Sequence, residues 1–549
     1  MRRVAARLWR RHGLAGVLLL AVMALALALR LKGVTWGLPY SLINVDESTV
    51  VPKAFEAARG RLNPQFFFYP SFFFYLVGFL YLVATPVWWA AQQGNFLSQA
   101  AFVVDPGPYF LLGRLLSVAM GTASVYLVYL IGRVAFGRPA GLLAALFLAV
   151  VPLHVAYSHM AVTDVTAVAL SLLAFALLQR AVGGGGRRWL VWGAVAAGLA
   201  TSTKYNLGML VLPATIAAVY VCREEVARRV AAGARAALVW PRLVAWRVYA
   251  PMLAAFIAAS PFVVLDAPGF ISDFVRQNRI MERGWLGFES AGNGFWYNLS
   301  TNLGGALGVV LLALGVAGLG WALWRRTRID VLIVPYVFGY FLYTGTWTAL
   351  ADRYLLPIIP LLIVLAMRFA VDLVGLRPRA RRVVMPLAVA VLLVAFVVPL
   401  AASVEFDREL GGPDMRVAAK EWIEANVPPG ASIAVETHGP PLVRAEAAAD
   451  YRAAGIDAVA YRVTRLELPA PATPDGSRDL AALRAQGVEY VVVSGAVFER
   501  VLAAAEVYPV AAEFYRRLDA DTELVKEFRP GPGERGPVLK VYRIGGPAG

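Results

Sequence analysis

Five residues in this chain could do proton or charge chemistry from an apolar setting. Asp46 and Glu47 stand side by side in INVDESTV, Asp164 in SHMAVTDVTAVAL, Lys204 in STKYN and Arg353 in LADRYLLPIIP. Only 14 acids occur in residues 1–403. A carboxylate inside a membrane span costs about 2.5–3.5 kcal/mol on insertion scales, so one retained there marks a candidate site. Asp46 and Asp164 on one membrane face would form a two-carboxylate site, one acting as general base and the other orienting it or holding a cation. Lys204 and Arg353 would bind a phosphate group at the membrane surface, and Arg353 is the better suited because a guanidinium makes bidentate contacts. Plainer readings stand beside these. Asp46 would cap a short helix through Lys53–Arg59, with both adjacent acids suiting its dipole. Asp164 would cap the span that follows it, and the two cations would snorkel to lipid headgroups. His154 and His159 lie beside Asp164, but their spacing matches no strong zinc pattern, and structural histidines are the commoner case. Tyr69-Pro70 sits in a Phe-rich run that reads as interfacial packing or as a substrate groove. The single cysteine, Cys222, excludes an intrachain disulfide and a thiolate metal cluster. The Gly183–Gly186 run has no following Lys-Ser/Thr, which argues against a phosphate-cradling loop.

These residues must be positioned by a membrane protein. The 549 residues are 59% hydrophobic and 16% charged, with a mean hydropathy of +0.62. Such a composition excludes a purely soluble enzyme, a disordered chain and a disulfide scaffold. The net charge of +16 is unevenly spread: residues 404–549 hold 17 basic and 22 acidic residues, against 35 and 14 in residues 1–403. The basic excess is therefore a topology signal, not a nucleic-acid footprint. A basic start precedes an apolar run at 14–31, read as a first span and not a signal peptide. Further runs lie near 112–132, 140–158, 165–179, 189–203, 206–221, 249–265, 301–324, 330–347, 354–370 and 383–403. Placing the intervening basic clusters inside gives about eleven spans, a cytoplasmic N-terminus and an extracytoplasmic C-terminal part. Residues 66–90 are apolar enough to span. They are assigned instead to the outer side as interfacial or re-entrant helices, because residues 91–109 contain no Lys or Arg. The expected organisation is mainly α: a transmembrane domain over 1–403, whose first outer loop is 32–111, then an α/β domain over 404–549. In the tail, helices are expected at 414–427, 478–486 and 496–505, and strands at 431–436, 488–493 and 537–544.

In order along the chain, the Asp-Glu pair, the aromatic FFFYPSFFFYL, GRLLSVAMGTASVYLVYLIGRVAFG, AGLLAALFLAVVPLHVAYSHMAVTD, GLATSTKYN and DRYLLPIIPLLIVLA resemble the membrane glycosyltransferases of the GT-C fold, of the protein mannosyltransferase and aminoarabinose transferase type. The resemblance covers roughly residues 10–370. The tail, with MRVAAKEWIEANVPPGASI, VEYVVVSG and VLKVYRI, resembles the extracytoplasmic domain of bacterial members. It implies transfer of a sugar from a polyprenyl-phosphate carrier to a hydroxyl of a protein, lipid or glycan on the outer face of the cell membrane. Asp46 then matches the family's catalytic acid, Glu47 its neighbour and Asp164 the second acid. Arg353 and Lys204 match positions near the carrier phosphate, and Tyr69, Pro70, His159, Tyr205 and Tyr354 become groove candidates. Where the family often has a charged or histidine residue before its proline pair, this chain has Tyr69-Pro70-Ser71, a departure that bears on substrate preference. Divalent metal use varies across the fold class; no other cofactor is implied.

The chemistry suits the residues. A sugar phosphate has a good leaving group, so the enzyme needs a base for the acceptor proton and cations for the departing phosphate. Direct displacement predicts inversion at the anomeric carbon, without a carboxylate nucleophile. A transporter or flippase of lipid-linked cargo is the alternative, but such folds show inverted repeats around midplane charges, and the sequence shows no repeat. A non-catalytic sensor would tolerate amides at Asp46 and Asp164.

Overall fold

The computed structural model describes the backbone of residues 2–40, 44–91, 94–376, 381–469 and 476–545. The side chains of residues 1–12, 376 and 381–383 lie outside the description, so the basic start and part of the Arg368–Arg382 cluster fall there.

The membrane part is a helical bundle. In chain order its helices are α1 (Arg2–Leu31), α2 (Val45–Ala58), α3 (Phe72–Ala90), α4 (Gly107–Phe136), α5 (Arg138–Val150), α6 (Pro152–Ser158), α7 (Thr163–Arg180), α8 (Arg187–Thr201), α9 (Val211–Ala231), α10 (Ala236–Ala259), α11 (Ala267–Arg283), α12 (Gly294–Arg325), α13 (Asp330–Gly345), α14 (Ile359–Leu376) and α15 (Arg381–Leu410). All eleven expected apolar runs are helical. Among the described residues eight helices are long and apolar enough to cross a membrane, or nine if α5 and α6, bent by 62°, are one span. The chain is thus a multi-pass membrane protein. The short elements have local causes. Pro152 cannot continue the ladder of α5, so the chain bends there. The run expected at 354–370 splits because Pro357 and Pro360 delay the helix to Ile359. Most of α14 is buried within the bundle, so it needs no long lipid-facing surface.

α3 belongs to the eight, and its open face is apolar: Phe79, Leu82, Val83, Val87 and Trp89 are exposed. Its other face, Phe73, Phe74, Val77 and Tyr81, packs against Val50, Val51, Ala54 and Phe55 of α2. Gly78 makes this approach feasible: a Cβ there would meet the Ala54 carbonyl oxygen at 2.8 Å. Gly198 plays the same part between α8 and α10, where a Cβ would lie 2.2 Å from the Met252 carbonyl oxygen.

After α15 comes an α/β region: α16 (Met415–Asn426), β1 (Ser432–Glu436), β2 (Val443–Arg444), β3 (Ala460–Leu466), α17 (Leu480–Ala485), β4 (Tyr490–Ser494), α18 (Gly495–Ala503), α19 (Pro509–Asp521), β5 (Glu523–Phe528) and β6 (Leu539–Arg543). The sheet order is β2-β3-β1-β4-β6-β5. β2, β3, β1 and β4 run parallel, while β6 and β5 are antiparallel. The six elements expected in the tail are present, and the fold class is as the sequence implied. β2, β3, β5, α19 and a short helix over Ala448–Ala453 are additional. β3 and β5 interleave Arg, Glu and Lys with apolar residues (AYRVTRL, ELVKEF), so they lack the continuous apolar run of β4.

The α/β region is docked on the bundle. The Arg114 and Arg535 guanidinium carbons lie 4.6 and 4.2 Å from the Trp36 ring. Tyr508 donates to Glu289 at 2.6 Å, and Leu286 enters the apolar core of the α/β region.

Candidate active site

The site is assembled from α2, the 69–71 loop, the start of α7, the end of α8 and the segment before α14. α2 begins at an Asn44 cap, whose side-chain oxygen accepts from the backbone N–H groups of Asp46 and Glu47 at 3.0 and 3.1 Å. Asn44, and not Asp46, therefore does the capping. Both acids of the pair keep their carboxylates for other partners.

Adjacent helical residues point about 100° apart, and the two acids part company. Glu47 turns inward and is fully buried. Arg114 of α4 grips it bidentately at 2.8 and 2.7 Å, and the Ala161 N–H donates to it at 2.7 Å. Arg114 also donates to the Val34 and Trp36 carbonyls. Asp46 turns outward and keeps 36% of its side chain exposed. It accepts from the Tyr69 hydroxyl at 3.2 Å and from the Arg353 guanidinium.

Asp164 lies in the first turn of α7, after Val162, which makes no side-chain cap. It accepts from the Lys204 ammonium at 2.5 Å, and both groups are almost wholly buried. Lys204 also sits 5.0 Å over the Tyr354 ring, with Arg353 5.9 Å from the same ring. The two ion pairs form one electrostatic unit. Burial lowers the Lys204 pKa, opposed by Asp164, while Arg353 is a further lowering influence. Arg353 is held well above its ordinary value by Asp46, Tyr69 and Asp164 despite its burial. Burial and the Asp46 charge raise the Tyr69 phenol, so it stays a donor.

Backbone contacts fix the 69–71 loop. Ser71 N–H donates to Ser260 Oγ at 3.0 Å, Phe72 N–H donates to the Ser202 carbonyl at 3.2 Å, and the Ser202 and Ser260 hydroxyls pair at 2.6 Å. Tyr69, Pro70, Lys204, Tyr205 and Tyr354 thereby line one cavity of about 120 Å³ with Gln277 and Asn278 of α11. Tyr205 meets Phe274 edge-on, and its buried hydroxyl has no hydrogen-bond partner among the described residues.

His159 lies elsewhere. Its ring nitrogens face the Val155 and Lys32 carbonyls at 2.9 and 2.8 Å, and Asp407 of α15 lies 3.7 Å away. This ties α6 to α1 and α15, and His159 does not line the groove. Among the described residues no three His, Cys, Asp or Glu side chains gather as metal ligands. Asp46 and Asp164 each carry a cationic side chain.

Sequence reasoning missed Asn44, Arg114 and Asp352. Asp352 accepts from Tyr157 at 3.1 Å and from the Arg353 N–H at 2.6 Å, which anchors the segment carrying Arg353. The available signal for Arg114 was a lone arginine within an apolar run.

Residues 110–262 match the family model described as dolichyl-phosphate-mannose-protein mannosyltransferase. No curated protein matches the sequence. Among solved structures, the apo oligosaccharyltransferase of Archaeoglobus fulgidus is 13% identical, covering 90% of this chain and 72% of that one, with a TM-score of 0.53. ArnT from Cupriavidus metallidurans bound to undecaprenyl phosphate is 15% identical over 96% and 98% of the two chains, with a TM-score of 0.51. The Archaeoglobus enzyme tethered to an acceptor peptide gives 14% over 92% and 72%, and 0.51. The architecture is the membrane GT-C fold, and the family match and the fold are both those of glycosyltransferases.

Proposed function

We propose that this chain is an inverting glycosyltransferase that moves a sugar from a polyprenyl-phosphate carrier to an acceptor hydroxyl on the outer face of the cell membrane. One observation carries the reading: a part-exposed carboxylate, Asp46, is paired with one cation, Arg353, and lies within electrostatic range of a second, Lys204, the three coming from separate elements. The undecaprenyl phosphate in the ArnT structure and the family match over 110–262 support a lipid-phosphate donor. The basic clusters support the orientation, with the α/β region and the site outside.

In this mechanism the donor phosphate takes over Arg353 and meets Lys204, which releases the Asp46 carboxylate. Asp46 accepts the acceptor proton while the acceptor oxygen attacks the anomeric carbon. The bond from that carbon to phosphate oxygen breaks, its electrons stay on the phosphate, and the two cations stabilise the charge that develops. Tyr69 orients Asp46, and Asp164 holds Lys204 in place. Glu47 is a positioning residue that fixes α2 through Arg114. Protein, lipid and glycan hydroxyls remain the acceptor classes.

The reading is tested by incubating purified protein in nanodiscs with a panel of polyprenyl-phosphate sugars and an extract of envelope acceptors. Sugar transfer with inverted anomeric configuration is expected for one donor class. Retention of configuration would overturn the mechanism; donor translocation without bond cleavage would overturn the enzyme.

A further inference from the structure

A cleft runs between α2 and the carboxyl ends of β1 and β3. It consists of two cavities of about 250 and 640 Å³, both lined by Ser48, Leu442, Arg444 and Arg465. Val45, Ser48, Thr49 and Pro52 line it from α2. Their spacing makes them one helix face, and Asp46 lies on the same turn as Val45 at its end. In the smaller cavity the opposite wall is the place where open parallel sheets take ligands, outside the carboxyl ends of their strands; the larger extends along β2 to the residues before β3, Ile456 to Val459. His438, in the loop after β1, lines the smaller cavity together with Val45 and Thr49, the α2 residues next to and one turn on from Asp46.

The charge in this cleft is distinctive. Among the residues common to both cavities, only Arg444 and Arg465 are charged. Neither makes an ion pair or a side-chain hydrogen bond among the described residues, and both are exposed to the cleft. The pairings Arg444↔Tyr461 and Val435↔Arg465 put the two on one face of the sheet, since positions 461 and 465 share a face. The nearby acids are partly committed: Glu436 is held by Arg478, Tyr515 and the Ser494 N–H, and Glu424 by Lys420. Glu467 lines only the smaller cavity and Asp457 only the larger.

We propose that Arg444 and Arg465 form an anion subsite for the acceptor, holding a phosphate or carboxylate group while the acceptor's hydroxyl lies at Asp46. This rests on the transferase reading and adds a substrate class to it: the acceptor is anionic beside the hydroxyl that is glycosylated. A guanidinium pair is the fitting receptor, because each makes short, charge-assisted, planar contacts to oxyanions.

The test uses full-length protein in nanodiscs saturated with undecaprenyl phosphate, so that Lys204 and Arg353 are occupied. Binding of glucose 6-phosphate, glucuronate and glucose is followed by saturation-transfer NMR. At least one anionic sugar is expected to bind tenfold or more tightly than glucose, and the better of the two identifies phosphate or carboxylate as the group read. The double variant R444Q/R465Q is expected to lose that preference tenfold or more, with unchanged thermal unfolding and unchanged undecaprenyl phosphate affinity. Equal binding of the three sugars, no binding of any, or a double variant that binds as wild type does would overturn the subsite and leave the donor site standing. Failure of wild type to bind undecaprenyl phosphate would remove the donor reading and this proposal with it.

Discussion

Asp46 and Glu47 are chemically alike and adjacent, yet the fold gives them different work. Glu47 is spent on Arg114 and a backbone N–H in a dry core. Asp46 faces solvent with a phenol and a guanidinium that a donor phosphate can displace. The Asp164–Lys204 pair is buried, and removing one partner from such a pair costs about 3–5 kcal/mol. Asp164→Asn is therefore expected to lower the thermal midpoint and weaken donor binding. Adding Lys204→Met should restore most of the stability and none of the donor affinity, read by thermal unfolding and lipid-phosphate titration. His438 supplies a pH test. Burial and the Arg416 and Arg500 charges push its pKa down to about 4, below the ordinary value near 6.5. Between these values the unfolded chain binds more protons, so stability rises with pH and is lost as pH falls from 6.5 to 4. Across that window the change of the unfolding midpoint with pH should be less positive in His438→Gln than in wild type. Asp46, Asp164, Lys204 and Arg353 were visible in the sequence because polar groups stand out in apolar surroundings. The split between Asp46 and Glu47 was not, since it depends on which side of α2 meets Arg114, 67 residues away.

The helix that carries Asp46 is held by two devices. The close approach at Gly78 sets α2 on α3, and the Glu47–Arg114 pair sets it on α4. Glu47→Gln leaves the Arg114 charge buried without its counter-ion, and the same range of about 3–5 kcal/mol applies. The expected result is a large drop in thermal midpoint, partly recovered in a Glu47→Gln/Arg114→Met double variant. A loss of turnover with unchanged stability would instead make Glu47 part of the chemistry. Seven of the eight helices able to cross a membrane coincide with the expected apolar runs, because burial in lipid or bundle imposes a strong hydropathy signal; the eighth is α3, which the sequence reading assigned to the outer side. Breaks were less legible. The 62° bend between α5 and α6 and the start of α14 follow from prolines whose effect depends on neighbouring helices. Short edge strands such as β2, with two residues, carry almost no pattern of their own.

The proposed topology places the α/β region, α2 and the 69–71 loop on the outer side, with α3 flanked by segments on that same side. With the buried Cys222 replaced by Ser, single cysteines at Leu62 and Ala100 should both react with an impermeant maleimide in intact cells. A cysteine at Ala232, between α9 and α10, should react only after permeabilisation. Opposite accessibility of positions 62 and 100 would make α3 a span. The claim that joins site, cleft and orientation is that Asp46 is the base in sugar transfer from a lipid phosphate. Its most direct test compares wild type with Asp46→Asn, an isosteric change, measuring turnover of the accepted polyprenyl-phosphate sugar and affinity for undecaprenyl phosphate in the same nanodiscs. General-base catalysis contributes about 10²–10⁴-fold, so turnover should fall by at least a hundredfold while the lipid still binds. Turnover within a few-fold of wild type would contradict the assignment.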